Sequence, residues 1–300
     1  MPLDPHIARD ISYASSAQTR GGRAMIRALE NTTGRMRLMR RAQGYGEEVA
    51  QGADFWEVMV HRYGIAPKII AGSFANIPKE GPLILVSNHP FGILDGLMMG
   101  LLLSRLRGDF RILANQVFRR AEELNRVILP ISFDTDKAAI TQNLATRRAA
   151  LDYLGQGGAI GVFPGGTVST SPTPFGQARD PSWRSFTAKM IAKSQAQVVP
   201  IYFEGQNSRL FQIASHLHPT LRLGLLLSEF HARLDKGPQI AIGAPIPRAD
   251  LAQFRTRPRM MMDFLREATY ALSPSPLANT GYGYEFERRY KENTKSAERE

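Results

Sequence analysis

The spacing of apolar residues changes character near residue 65. Before it, between Thr19 and Ala42, Met25, Ile26, Leu29, Met36, Leu38 and Met39 are interleaved with seven arginines. A recurrence of three to four predicts one or two short amphipathic helices, broken around Thr32 to Gly34. Such helices suit two places equally. They can lie at a lipid surface, with Arg35, Arg37, Arg40 and Arg41 meeting phosphates, or pack their Met and Leu side chains on the rest of the chain. A separate helix is expected over 55–63.

After residue 65, short apolar runs with the length of buried strands alternate with helix-spaced segments. Strands are expected at 68–75, 82–87, 111–114, 127–133, 158–163, 196–204 and 239–244, and helices at 94–106, 117–123, 137–154, 182–194 and 257–272. This alternation predicts an α/β fold: a mostly parallel central sheet flanked by helices, with the basic amphipathic stretch as an N-terminal helical extension. The expected organisation is an N-terminal helical, membrane-surface segment over 1–65, a main domain over 66–275, and a polar tail over 276–300 that is mobile or wrapped on the surface.

Composition changes this picture in two respects. The 38 basic against 27 acidic residues give a net charge of +11, which favours an anionic partner: a lipid surface, an acidic carrier protein or nucleic acid. No nucleic-acid-binding motif is visible, so nucleic acid is not expected. Cysteine is absent, which excludes disulfides, thiolate-bound zinc and a cysteine nucleophile. The start of the chain lacks the basic and apolar regions of a signal peptide. The longest apolar stretch, 93–103, is interrupted by Asp95 and is well short of the roughly 20 residues that cross a bilayer. The expected location is cytoplasmic, peripheral on the inner face of the cell membrane.

The strongest chemical signal is Ser87-Asn88-His89-Pro90-Phe91-Gly92-Ile93-Leu94-Asp95-Gly96, at a strand-to-helix turn. A carboxylate beside one imidazole nitrogen fixes the tautomer and leaves the other nitrogen free to take a proton. A histidine that merely satisfies a buried turn is the competing explanation. A second signal is Pro164-Gly165-Gly166-Thr167-Val168-Ser169, a Gly-rich loop just after a strand, where open α/β sheets place their ligands. His216 and His218 stand two apart without nearby carboxylates, and no metal is assigned to them.

The segment around His89 resembles the histidine–aspartate block of the glycerolipid acyltransferase superfamily, which includes lysophosphatidic acid acyltransferases and a haemolysin-like bacterial branch. The similarity runs from about Ile77 to Ile246 and takes in the late apolar block 198–203. It implies that His89 is the general base, Asp95 its orienting partner, and acyl-CoA or acyl carrier protein the co-substrate, with no bound cofactor. The commonest family spacing leaves four residues between His and Asp. Here Pro90 to Leu94 make five, as in the haemolysin-like branch, and Gly92 is placed to absorb the extra residue.

The loop sits where phosphate-acylating relatives carry Phe-Pro-Glu-Gly-Thr-Arg-Ser, but Gly165 replaces Glu and Val168 replaces Arg. This argues against an acceptor whose phosphate is gripped there and favours a phosphate-free lyso-aminolipid. Asn88, Phe91, Asn115 (followed by Gln116), Gly165, Gly166, Thr167 and Ser169 are the candidate substrate-binding residues, with Asn88 or the 165–166 backbone as oxyanion donors. Leucines and methionines at 97–103 and 223–227 would line an acyl-chain cleft or be ordinary core. The implied reaction is acyl transfer to a lysolipid hydroxyl in membrane lipid biosynthesis. The alternatives are 1-acyl-glycerol-3-phosphate acylation and hydrolysis of a lipid or thioester by a water that His89 activates.

Overall fold

The structure is a computed structural model that describes residues 12–14, 17, 19–115, 122–132, 136–275 and 281–286. The helices among these residues are α1 (Arg20–Thr32), α2 (Arg35–Ala42), α3 (Tyr45–Ala50), α4 (Phe55–Tyr63), α5 (Ile93–Arg107), α6 (Glu122–Val127), α7 (Lys137–Gly155), α8 (Ser185–Lys193), α9 (Arg209–Leu217), α10 (Pro219–His231), α11 (Arg248–Ala252) and α12 (Pro258–Tyr270). The strands are β1 (Lys68–Ala71), β2 (Leu83–Ser87), β3 (Arg111–Asn115), β4 (Ile128–Ile131), β5 (Ala159–Val162), β6 (Gln197–Phe203) and β7 (Gln239–Ile242). They form a seven-stranded sheet in the order β1-β7-β6-β2-β5-β3-β4. All neighbours run parallel except β6 and β7, so the sheet is mostly parallel with β1 and β7 reversed.

Strand β2 holds the centre. Its Val86 pairs with Val162 of β5 on one side and Pro200 of β6 on the other. Every residue of Leu-Ile-Leu-Val-Ser is buried, as a parallel strand covered on both faces requires. Leu83 and Leu85 point to one layer, where they meet Ile26, Leu38, Trp56, Met98, Leu226 and Phe230. Ile84 and Val86 point to the other, against Leu154, Met190, Met262 and Leu265. Truncating one of these central side chains to Ala costs about 2–5 kcal/mol.

The N-terminal helices join the first of these layers. α1 begins at Thr19, whose hydroxyl accepts from the Gly22 N–H at 3.0 Å, and the break before α2 falls at Gly34, with φ of +119°. Ile26, Leu38, Met39 and Ala42 are buried in the same core as β2, so residues before 65 pack as part of the main body. Packing on the rest of the chain is the second of the two places that the apolar spacing allowed. Arg35 is buried and donates to Asn31 Oδ1 at 2.9 Å, while Arg41 grips both oxygens of Asp235 at 2.8 and 2.6 Å. Neither guanidinium is free to meet a lipid phosphate, whereas Arg37 and Arg40 are exposed. No helix among the described residues is long and apolar enough to cross a membrane.

Further differences concern local boundaries. Most of the helix expected at 117–123 lies outside the described residues, and α6 instead starts at Glu122. α9 and α10 fill a stretch where the apolar pattern, split at His218-Pro219, gave no clear element. Residues 281–286, in the tail expected to be mobile or wrapped on the surface, pack on the loop that follows β5. Gly283 N donates to Asp180 O at 2.8 Å and Tyr284 N to Thr170 O at 2.9 Å.

Candidate active site

The end of β2 and the start of α5 frame a turn over 88–92. Asn88 anchors it: Nδ2 donates to Phe203 O at 2.9 Å and Oδ1 accepts from Phe203 N at 2.8 Å, tying the ends of β2 and β6 together. Gly92, at φ +84°, lets the chain enter α5 despite the extra residue between His89 and Asp95. Asp95 lies in the first turn of α5, fully buried, and its Oδ2 accepts from Phe91 N at 2.8 Å and Gly92 N at 3.0 Å.

His89 Nδ1 stands 3.0 Å from the same Oδ2, off the straight line of an ideal hydrogen bond. Burial pushes the Asp95 carboxyl above its ordinary value of 3.8, opposed by His89 and by the Phe91 and Gly92 N–H groups. The imidazole stacks on Phe163, with centroids 4.2 Å apart and planes inclined by 26°. Its side chain remains 18% exposed, and no group among the described residues bonds Nε2. The carboxylate thus selects the tautomer with its proton on Nδ1 and leaves Nε2 as the acceptor.

Strand β5 delivers the second part of the site, the loop over 163–171. Gly166 takes φ +71° and turns its N–H back to Phe163 O at 3.0 Å. Gly165 leaves room for a neighbour, since a Cβ there would lie 3.2 Å from Asp180 Oδ2. Ser169 N donates to His89 O at 2.8 Å, which joins loop to turn. Among the described residues no acceptor meets the N–H of Thr167 or Val168. The Gly165 N–H is likewise without an acceptor among the described residues, so all three are backbone donors that a developing oxyanion could meet.

Two residues that the sequence did not single out hold this loop. Asp180 is fully buried: Oδ1 accepts from His89 N at 3.2 Å and from the Ser169 hydroxyl, and Oδ2 accepts from Trp183 Nε1 at 2.8 Å. Arg222, buried on α10, donates through Nη2 to Thr167 Oγ1 at 3.0 Å and Val168 O at 2.6 Å. Its Nη1 reaches Ser215 Oγ at 3.0 Å and Thr170 Oγ1. No carboxylate among the described residues pairs with it, and burial pulls its guanidinium down from 12.5 to about 9. The faces of Phe211 and Phe286, at 5.0 and 4.4 Å, take part of the charge.

This geometry, an open imidazole nitrogen beside unpartnered backbone donors, suits attack of a hydroxyl on an acyl carbonyl. A family model described as Acyltransferase matches residues 54–279. The chain belongs to the acyltransferase family. It is therefore an enzyme that moves acyl groups. Two similar proteins are both named lyso-glycine lipid O-acyltransferase. The one from Phocaeicola vulgatus is 27% identical over 229 residues, covering 74% of this chain and 78% of its own length. The one from Bacteroides thetaiotaomicron is 26% identical, covering 74% and 80%. A solved structure, the 1-acyl-sn-glycerophosphate acyltransferase PlsC from Thermotoga maritima, aligns with TM-score 0.44 and 14% identity over 74% of this chain and 83% of that one.

Within this acyltransferase several expected contacts change role. Asn88 spends both ends of its amide on Phe203, so it is a clamp and not an oxyanion donor. The Gly166 N–H is likewise occupied by its own turn. Phe91 is buried under the Arg233 guanidinium, 4.2 Å from its ring centroid, and presents no open face to a substrate. The Ser169 hydroxyl is given to Asp180 and the Thr167 hydroxyl to Arg222. Asn115 ends β3, with β5 between it and β2, and Gln116 lies outside the described residues.

Val168 packs in the core, and the cation at this loop arrives from Arg222 instead. Leu97, Leu101 to Leu103 and Leu225 to Leu227 are buried in that core as well. His216 Nε2 lies 3.0 Å from Ser171 O, and His218 Nδ1 accepts from Thr220 N at 3.0 Å, so both histidines serve local structure.

Proposed function

We propose that this acyltransferase moves a fatty acyl chain from acyl-CoA or acyl carrier protein onto the hydroxyl of a lyso-aminolipid. The observation that carries the reading is His89, with Nδ1 on a buried carboxylate and Nε2 unbonded beside a loop that offers free N–H groups. His89 Nε2 takes the acceptor hydroxyl proton as that oxygen attacks the thioester carbonyl carbon. The oxyanion is held by the Thr167 and Val168 N–H groups. When the carbonyl re-forms, the C–S bond breaks and the thiolate leaves with the proton from Nε2. No covalent acyl-enzyme is needed.

A lyso-aminolipid acceptor is supported by the loss of the loop arginine at Val168 and by the names of the two curated relatives. Contact with an anionic membrane on its inner face completes the proposal. The exposed side chains Phe175, Leu210 and Leu217, beside the catalytic loop, support it better than the engaged Arg35 and Arg41.

The test is mass-spectrometric detection of diacyl product from wild type and His89→Ala, given acyl-CoA or acyl carrier protein with lyso-aminolipids and lysophosphatidic acid. Loss of a general base lowers turnover by about 10²–10⁴-fold. Product from lysophosphatidic acid alone overturns the acceptor, and release of free fatty acid in place of diacyl product overturns the transfer.

A further inference from the structure

Beside the catalytic turn lies a polar cavity of about 410 Å³, in the size range of small-ligand sites. Asn88, Pro90 and Ser169 form part of its wall, so it opens next to His89, and Arg209, Glu204 and Gln177 form another part. Two of these residues carry opposite charges. The Glu204 carboxylate accepts from Ser273 Oγ at 3.2 Å and from the Tyr202 hydroxyl, both neutral groups, and Arg209 donates to backbone carbonyls of the loop, Phe175 O at 2.8 Å and Gly176 O at 2.5 Å. Neither is within ion-pair distance of the other or of any other opposite charge among the described residues.

A cavity wall with an unpaired cation and an unpaired anion, held apart, is complementary to a ligand that carries both signs. We infer that this cavity binds the head group of a dipolar amino-acid lipid, with its carboxylate on Arg209 and its ammonium on Glu204, and so presents the acceptor hydroxyl to His89. The inference rests on the acyltransferase reading and adds the head-group charges that the site selects. A glycine-type head group, with its nitrogen acylated, fills only the Arg209 half. A phosphate monoester finds no cation opposite Glu204 and meets repulsion there.

The test is calorimetric binding to the wild-type protein without acyl donor, so that no turnover occurs. The probes are β-hydroxyacyl chains on the α-nitrogen of lysine (both charges), of lysine amide (ammonium only) and of glycine (carboxylate only). The lysine form should bind about tenfold more tightly than either single-charge form. Glu204→Gln should erase its advantage over the glycine form while leaving glycine-form affinity unchanged, and Gln keeps an acceptor for Ser273. Arg209→Gln should erase the advantage over the amide. Equal binding of all three probes, or a lysine preference that survives both substitutions, overturns the inference. The same probes are then offered with acyl-CoA and acyl carrier protein. Charge-dependent binding without acylation removes the transferase reading and leaves the cavity, whereas acylation with no charge preference does the reverse.

Discussion

The turn over 88–95 and the loop over 163–171 meet at the backbone bond from Ser169 N to His89 O and at the stack of His89 on Phe163, yet they are held in different ways. The turn is largely self-sufficient. Its carboxylate, its imidazole and the N–H groups that orient Asp95 come from neighbouring positions, while Asn88 adds a clamp to the adjacent strand and Asp180 one distant bond, to His89 N. The loop depends on distant chain: Asp180, Arg222 on α10, and residues 283–284. A local device can carry the base because the base needs one partner. A stretch of glycines and short hydroxyl side chains makes few bonds within itself, Thr170 Oγ1 to Val168 O at 3.1 Å among them, so its donors are aimed only if other elements brace it.

The contrast can be broken from either side, and the largest effect on turnover should come from the turn. Asp95→Asn removes the charge that orients His89, and turnover should fall about 10²-fold, at the low end of acid–base contributions. Stability should move the other way. Because the folded Asp95 carboxyl is raised above 3.8, the native state holds its proton where the unfolded chain has lost it, and ionising Asp95 weakens the fold as pH rises through that window. The variant lacks this penalty, so urea unfolding from pH 4 to pH 7 should show it more stable than wild type at the upper end. Equal or lower stability there would mean that the carboxylate's hydrogen bonds outweigh its burial.

Asp180→Asn should come next, with turnover down about tenfold. Here stability falls too, because the amide cannot accept from His89 N, the Ser169 hydroxyl and Trp183 at once, and each charge-assisted bond contributes about 1.5–3 kcal/mol. A melting temperature lower by several degrees, read beside the kinetics, separates this behaviour from that of Asp95→Asn.

Arg222→Met should lower kcat/KM by about tenfold or slightly less, with little change in melting temperature, since a buried charge replaced by an apolar side chain is often neutral for the fold. Arg222→Lys, which keeps the charge and loses the fork, should fall between. An unchanged kcat/KM in the Met variant would show that the loop is held without α10.

Glu285→Gln should have the smallest effect on turnover, a few-fold. It loosens the buried pair in which Arg184 Nη1 and Nη2 meet Glu285 at 2.7 and 2.9 Å, one shell further from the reacting atoms. Proteolysis of the loop, followed by mass spectrometry, should detect the loosening even where kinetics barely change.

The same contrast explains what could be read in the sequence. The alternation of apolar runs placed the sheet and most helices, because a fully buried strand such as β2 leaves an unbroken apolar word. His89 and Asp95 were legible for a similar reason: they are six positions apart in one turn. Asp180 and Arg222 act across 91 and 55 positions, on His89 and Thr167 respectively, and periodicity does not encode such pairings. Each did leave a faint signal. Arg222 is a lone cation in the apolar run Leu221 to Leu227, and Asp180 sits in Arg-Asp-Pro-Ser-Trp a few residues beyond the loop, just before α8. The basic N-terminal stretch left two placements open for the complementary reason, since composition cannot tell Arg37, which faces solvent, from Arg35, which is buried beside it.

The bracing of the loop by residues 283–285 also has a consequence in time. A ribosome delivers the chain from its N-terminus, and domains assemble as they emerge. The base and its carboxylate are made early, while the segment that braces the loop is made about a hundred residues after Arg184. A nascent chain therefore holds both residues of the dyad before the segment that braces the oxyanion loop. Clipping between 275 and 281 should therefore loosen the loop while leaving the base and its carboxylate joined.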